Sequence, residues 1–309
     1  MRSAARPIVV VGSINLDFVA NADRIPVAGE TIHGNEFRMH PGGKGANQAV
    51  AIARLGYPVQ MIGKIGSDVT GEQLRAHLQS AGVGLAGVER IEGASGVAMI
   101  VVAPHGENCI VVTAGANAHV SPSYVDAHLD LIRNASLVLT QLEIPIETVE
   151  HLAEVCFREG IPLMRDPAPA QKLSSNLLKQ IRWFTPNETE ATFYIGRSTD
   201  AGAAPGITAR YLLAQGPSSV LLKMGSRGVY LATRGMEEQL DALAVEAIDT
   251  TAAGDAFNGA FAVGLLLGKT ELESARFAVA AATLSVTRAG AQPSMPVLEE
   301  VEQMLEQTR

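Results

Sequence analysis

Ile8-Val9-Val10-Val11-Gly12-Ser13-Ile14-Asn15-Leu16-Asp17 sets four β-branched residues in a row, then a glycine, then an amide and a carboxylate two positions apart. Unbroken Ile and Val without polar alternation is the pattern of a strand covered on both faces. Short apolar runs recur at Gln60 to Ile65, Leu137 to Leu142, Ile161 to Met164, Trp183 to Phe184 and Val220 to Met224. Segments with apolar residues near three-to-four spacing lie between or after them: Gly45 to Leu55, Gly71 to Ala81, Ile146 to Glu159, Gly254 to Leu267 and Glu271 to Val286. This alternation predicts an α/β fold, a layered, largely parallel sheet with helices on both faces. Phe18 to Met39 and Gly96 to Val112 break the rhythm and read as β without helix; the second surrounds the turn-like Pro104-His105-Gly106-Glu107-Asn108. They predict a small separate sheet, placed to act as a lid.

Composition removes several function classes. The 309 residues are 47% hydrophobic and 18% charged, an ordinary globular balance. A net charge of −8 and the lack of any basic run leave no electrostatic footprint for nucleic acid. No apolar run approaches the ~20 residues a bilayer requires, and the N-terminal stretch lacks a signal-peptide core, so we expect a cytoplasmic protein with no membrane partner. Cys109 and Cys156 have no metal-ligand spacing and are expected to be buried free thiols. Asn134-Ala135-Ser136 and Asn187-Glu188-Thr189 match the glycosylation sequon, which has no role without a secretory route.

Two phosphate-loop patterns fail on context. Gly82-Val83-Gly84-Leu85-Ala86-Gly87 fits a dinucleotide fingerprint, but a helical pattern precedes it where a strand is required. Gly43-Lys44 resembles the end of a P-loop, yet Gly45 follows where Ser or Thr should hold magnesium.

Four other segments carry polar chemistry. Asn15 and Asp17, two apart in extended backbone, share one face, although such residues also simply end strands. Pro41-Gly42-Gly43-Lys44-Gly45-Ala46-Asn47-Gln48 is glycine-dense before a helix, so a ligand could approach its backbone while Lys44 and Asn47 bond hydroxyls; the plainer reading is a flexible turn. Asp249-Thr250-Thr251-Ala252-Ala253-Gly254-Asp255 opens an apolar helix with small residues that expose N–H groups to an anion. Asp255 in its first turn could take a proton from an attacking hydroxyl, or merely complement the helix dipole. Asn187-Glu188-Thr189-Glu190 follows a short strand, where its acids could organise magnesium through water or serve only as first-turn acids.

Taken together, GSINLD (12 to 17), PGGKGANQA (41 to 49), AGAN (114 to 117), QLE (141 to 143), DPAPA (166 to 170), PNETE (186 to 190), GSRG (225 to 228), DTTAAGDAFNGA (249 to 260) and VTRAGAQPS (286 to 294) resemble the ribokinase-like carbohydrate kinases, the phosphofructokinase B family, over nearly the whole chain. The resemblance implies one Rossmann-like α/β catalytic domain over residues 1–309, with lid strands inserted at about 14–40 and 96–113, and a homodimer through the lids. It implies transfer from ATP to the primary hydroxyl of D-ribose, giving D-ribose 5-phosphate. Asn15, Asp17, Gly43, Lys44, Gly45, Asn47 and Glu143 would hold the sugar, Asp255 would be the general base, and the N–H groups of Ala252, Ala253 and Gly254 would form the anion hole.

The same resemblance places nucleotide contacts at Asn187, Lys223, Gly225, Ser226, Gly228, Gly254 and Val279. Mg2+ would ride on the phosphates near Glu190 through water, and K+ as activator would sit by Asp249, Thr251, Ser285, Arg288, Gly290 and Ser294, several through carbonyls. Three residues depart from the family's pattern: Asp166 stands where Asn is usual, Lys223 where a small hydroxyl residue is common, and Val279 where a polar residue often lies near adenine. Other acceptors remain open, among them 2-deoxyribose, fructose and a nucleoside, the last disfavoured by only 5% aromatic residues. A catalytically silent sugar-binding protein is the alternative of a different class, with no need of an anion hole beside a base.

Overall fold

The computed structural model describes residues 5–104, 107–196 and 204–307. Its strands are β1 Ile8–Val11, β2 Asn15–Asn21, β3 Glu36–Gly42, β4 Val59–Gly66, β5 Gly84–Ile91, β6 Gly96–Val102, β7 Asn108–Thr113, β8 Leu137–Thr140, β9 Leu163–Arg165, β10 Trp183–Phe184, β11 Ser219–Lys223, β12 Val229–Thr233 and β13 Glu237–Leu240. A nine-stranded sheet runs β13-β12-β11-β10-β9-β8-β1-β4-β5 and a four-stranded sheet runs β3-β2-β6-β7. The large sheet is parallel from β11 to β5, and only β12 and β13 join antiparallel.

The unbroken apolarity of β1 has a direct cause. Ile8 and Val10 face one buried cluster, with Phe257, Phe261 and Phe277, while Val9 and Val11 face another, with Val149, Leu152 and Phe184. Helices Lys44–Arg54, Ala253–Leu266 and Glu271–Val286 cover the first face and helix Ile146–Glu159 lies on the second. Local signals agree with these boundaries. Thr270 and Glu273 form a capping box at the start of Glu271–Val286, and Gly160, at φ 69, closes Ile146–Glu159.

The Gly82 to Gly87 run proves to be structural. Gly82, at φ 87, follows helix Val69–Ser80, Gly84 starts β5, and a Cβ on Gly87 would come 2.7 Å from Ile62 Cγ1. His105 and Gly106 of the expected turn lie outside the described residues. One expectation is corrected: Cys156 is buried, but Cys109 is exposed. Cys109 lies on β7, an edge strand of the small sheet that is exposed along its whole length, so its apolar sequence does not indicate burial.

The parallel strands deliver the polar segments to one edge. Ser13 and Asn15 follow β1, Gln141 and Glu143 follow β8, Asp166 follows β9, Asn187 follows β10 and Lys223 ends β11. Open α/β sheets bind ligands outside the carboxyl ends of their strands.

Candidate active site

Helix Lys44–Arg54 begins at Gly43, whose φ of 86 suits glycine, and no side chain caps it. A Cβ on Gly45 would lie 2.7 Å from the Ser13 nitrogen, so this glycine lets the helix rest directly on the end of β1. Glu143 ties the two together: it accepts from the Ser13 hydroxyl and, at 3.0 Å, from the Lys44 N–H. Asn117 secures the next residues, accepting from Ile14 N–H at 2.9 Å and donating to Asn15 Oδ1 at 2.7 Å.

Asn15 and Asp17 both lie on β2 and pair across with Gly42 and His40 of β3. A Cβ on Gly42 would fall 2.1 Å from Asp17 Oδ2, so any larger residue there would push that carboxylate aside. Burial, reinforced by the carboxylates of Glu143 and Asp255, pushes the Asp17 carboxyl up to about 7.

Asp255 is the third residue of helix Ala253–Leu266, which the chain enters through Ala252 at φ 59, the sole left-handed non-glycine among the described residues. Holding alanine there stores strain of the kind found at functional turns. Neither Ala252 nor Gly254 gives its N–H to an acceptor among the described residues, whereas Ala253 N–H reaches Thr250 O at 3.3 Å. The Asp255 carboxylate is buried and accepts from Asn47 Nδ2 and Gln48 Nε2, each at 2.9 Å. Gln48 Nε2 also reaches Asp166 Oδ2 at 2.9 Å, and Gln292 Nε2 steadies Asn47 Oδ1 at 3.0 Å. Burial raises the Asp255 carboxyl above its ordinary range, Lys44 opposes the shift and Asp166 adds to it. Burial alone would lower the Lys44 ammonium, but Asp255, Asp166, Glu143 and Glu190 together hold it raised.

The strand ends beside this centre carry the other polar groups. Asn187 and Glu190 form a reciprocal capping box on helix Glu188–Ile195, and Asn187 bridges to Lys223 across the sheet edge. Lys223 donates to Asp166 Oδ1 at 2.9 Å. Gly225, at φ 57, and Gly228, at φ 84, form a tight turn with Ser226 exposed between them, closed by Met224 N–H to Gly228 O at 2.8 Å. Val279 lies in the apolar cluster with only 7% of its surface exposed.

The loop before the strained turn is laced to the end of helix Glu271–Val286. Asp249 accepts from Thr251 N–H at 2.9 Å and from Gly290 N–H at 2.8 Å. Burial pushes its carboxyl up, but hydrogen bonds from Thr251 and Gly290 outweigh that and leave it lowered, an anion suited to a small cation. The Ser285 and Ser294 hydroxyls donate to carbonyls at 2.8 and 2.7 Å, and Arg288 pairs with Glu300. Among the described residues no cluster of three His, Cys, Asp or Glu side chains is arranged for a metal.

The structure thus joins Asn15, Asp17, Gly43, Lys44, Gly45, Asn47 and Glu143 to Asp255 in one polar centre. Sequence reasoning passed over Ser13, Gln48, Asn117 and Gln292, which hold those side chains. Each had a visible signal, an amide or hydroxyl inside a motif already singled out, Gln292 within VTRAGAQPS (286 to 294) among them.

The chain matches the family described as pfkB family carbohydrate kinase over residues 5–298. It is 42% identical to the ribokinase of Bacillus subtilis over 97% of this chain and 99% of that protein. It is 35% identical to the deoxyribokinase of Salmonella typhi over 96% and 98% of the two chains. The solved structure of Arabidopsis thaliana ribokinase complexed with ribose and ATP aligns at a TM-score of 0.90 with 36% identity, covering 98% of this chain and 99% of that one.

Proposed function

The chain belongs to the pfkB family of carbohydrate kinases, and from that premise we propose that it transfers the terminal phosphoryl group of ATP to the primary hydroxyl of D-ribose, giving ADP and D-ribose 5-phosphate. The observation that carries the reading is a buried carboxylate, Asp255, clamped by Asn47 and Gln48 in the first turn of a helix at whose start the Ala252 and Gly254 N–H groups have no acceptor among the described residues. Asn15, Asp17, Gly43, Lys44, Gly45, Asn47 and Glu143 hold the sugar hydroxyls. Asp255 takes the proton as the hydroxyl oxygen attacks, and the Ala252 to Gly254 turn receives the charge that develops on phosphorus oxygens.

Asn187, Lys223, Gly225, Ser226, Gly228 and Val279 line the nucleotide side. Glu190 would hold magnesium through water, and the ion would supply charge neutralisation for the phosphates. A potassium ion fits the loops around Asp249, Thr251, Ser285, Arg288, Gly290 and Ser294, where it would steady the backbone of the anion turn. Two chains associate through their small sheets, and the reaction takes place in the cytoplasm.

The Salmonella relative favours 2-deoxyribose as the second reading, although the Bacillus relative is more similar. Coupled ADP release with ribose, 2-deoxyribose, fructose and adenosine side by side tests both. Ribose fastest upholds the proposal, 2-deoxyribose fastest transfers it to the second sugar, and no turnover with any sugar overturns the kinase reading.

A further inference from the structure

Asp166 and Lys223, which both depart from the family's pattern, are each other's partners. They form an ion pair at 2.9 Å with side chains only 2% and 15% exposed. The ammonium has a second neighbour: a Cβ built on Gly254 would lie 3.4 Å from Lys223 Nζ, which puts the charge against the first turn of helix Ala253–Leu266. On its other side Asp166 shares the Gln48 amide with Asp255. A continuous chain of contacts therefore runs from the candidate base through Gln48 and Asp166 to a cation that overlooks the strained turn.

Resting on the kinase reading, we propose that Lys223 is a catalytic residue of the phosphoryl transfer, its ammonium contacting the transferred phosphoryl group at Gly254, with Asp166 as the positioning residue that aims it. In the step itself a bond forms between the sugar oxygen and phosphorus, and the bond from phosphorus to the bridging oxygen breaks with its electron pair leaving on ADP. The hydroxyl proton goes to Asp255, while Lys223 keeps its own proton and stabilises negative charge on the phosphoryl oxygens. A fixed cation in a site shielded from water is worth most where charge develops.

The rival account is a brace, in which Lys223 only neutralises a buried Asp166. The two separate on Lys223→Met, which removes the charge and leaves no hydroxyl in its place, on Asp166→Asn and on the double variant of the full chain, read by kcat, KM for ATP, ribose binding by calorimetry and Tm. Lys223→Met should lower kcat about 10²-fold, the scale of losing one contact to developing charge. The double variant, which leaves no unpaired buried charge, should recover Tm and ribose binding yet keep the low kcat. Should Lys223→Met fail to fold, the double variant carries the decision. A double variant with unaltered kcat overturns the proposal and leaves the kinase reading intact, whereas an unaltered chain without turnover overturns the kinase reading and this proposal with it.

Discussion

Asn47 and Asp255, 208 residues apart in sequence, meet side chain to side chain, Nδ2 donating to Oδ2 at 2.9 Å. With Gln48 on the other oxygen, the carboxylate is fixed in orientation by two neutral amides. A general base must be placed before its basicity matters, and this clamp supplies the placement.

Asp255→Asn keeps the shape and removes the proton acceptor. We expect kcat to fall by about 10²- to 10⁴-fold, the range for losing positioned acid–base catalysis. Ribose affinity by calorimetry should stay within a few-fold, since other residues are proposed to hold the sugar. Turnover close to that of the unaltered chain would remove Asp255 from the mechanism.

Burial holds the Asp255 carboxyl above its ordinary range, so its active, ionised form is lost on mild acidification. The rising limb of kcat against pH should therefore sit above the usual carboxylate pKa of 3.8, and shift when Lys44 is replaced by Met, because Lys44 opposes the upward shift.

Asp17 gives a pH signature in stability. Its carboxyl rises from 3.8 to about 7 on folding, so between those values the folded chain binds the proton more tightly than the unfolded chain. More protons bound in the native state means stability falls as pH rises. Thermal melts should show the unaltered chain losing stability relative to Asp17→Asn across that window. Parallel pH curves would exclude this assignment.

Glycine positions separate packing from strain. Gly42→Ala drives a Cβ to within 2.1 Å of Asp17 Oδ2 and, with Asp17 proposed as a partner of a sugar hydroxyl, should raise the sugar KM by at least about 10-fold, since misplacing such a partner loses strong discrimination. Gly160→Ala, with nothing within 4 Å and φ 69, should cost only about 1–2 kcal/mol of stability and leave KM unchanged. Equal effects on KM would show that the Gly42 contact does not matter to the sugar.

The layered, largely parallel sheet was legible because buried strands and helices announce themselves by periodicity, as β1 and helices Ile146–Glu159 and Glu271–Val286 do. Strand β13 was not, since Glu237, Glu238 and Gln239 are exposed at the edge of the large sheet and leave little apolar signal. Within the site, acids and glycines were visible by type. The amides that orient them, such as Gln48 linking Asp166 to Asp255, depend on helix rotation and contacts across more than a hundred residues, which spacing does not encode. The pairing of Asp166 with Lys223 was hidden for the same reason: two oddities at the ends of separate strands gave no sign that they cancel.

The small sheet carries the remaining prediction. Its register sets Phe18 beside Met39 and Met99, and Met99 beside Val111, so these four form one apolar row across all its strands. Met39, Met99 and Val111 are 55%, 60% and 59% exposed. Such a face beside a long exposed edge strand invites association, and a second copy of the same sheet satisfies it most simply. Sedimentation should give a dimer for the unaltered chain and a monomer for the Met99→Lys, Val111→Lys variant, with ribose KM raised in the monomer if paired sheets steady Asn15 and Asp17 on β2. A monomeric unaltered chain would end the proposal of association through this sheet, and a dimeric variant would move the interface to another surface.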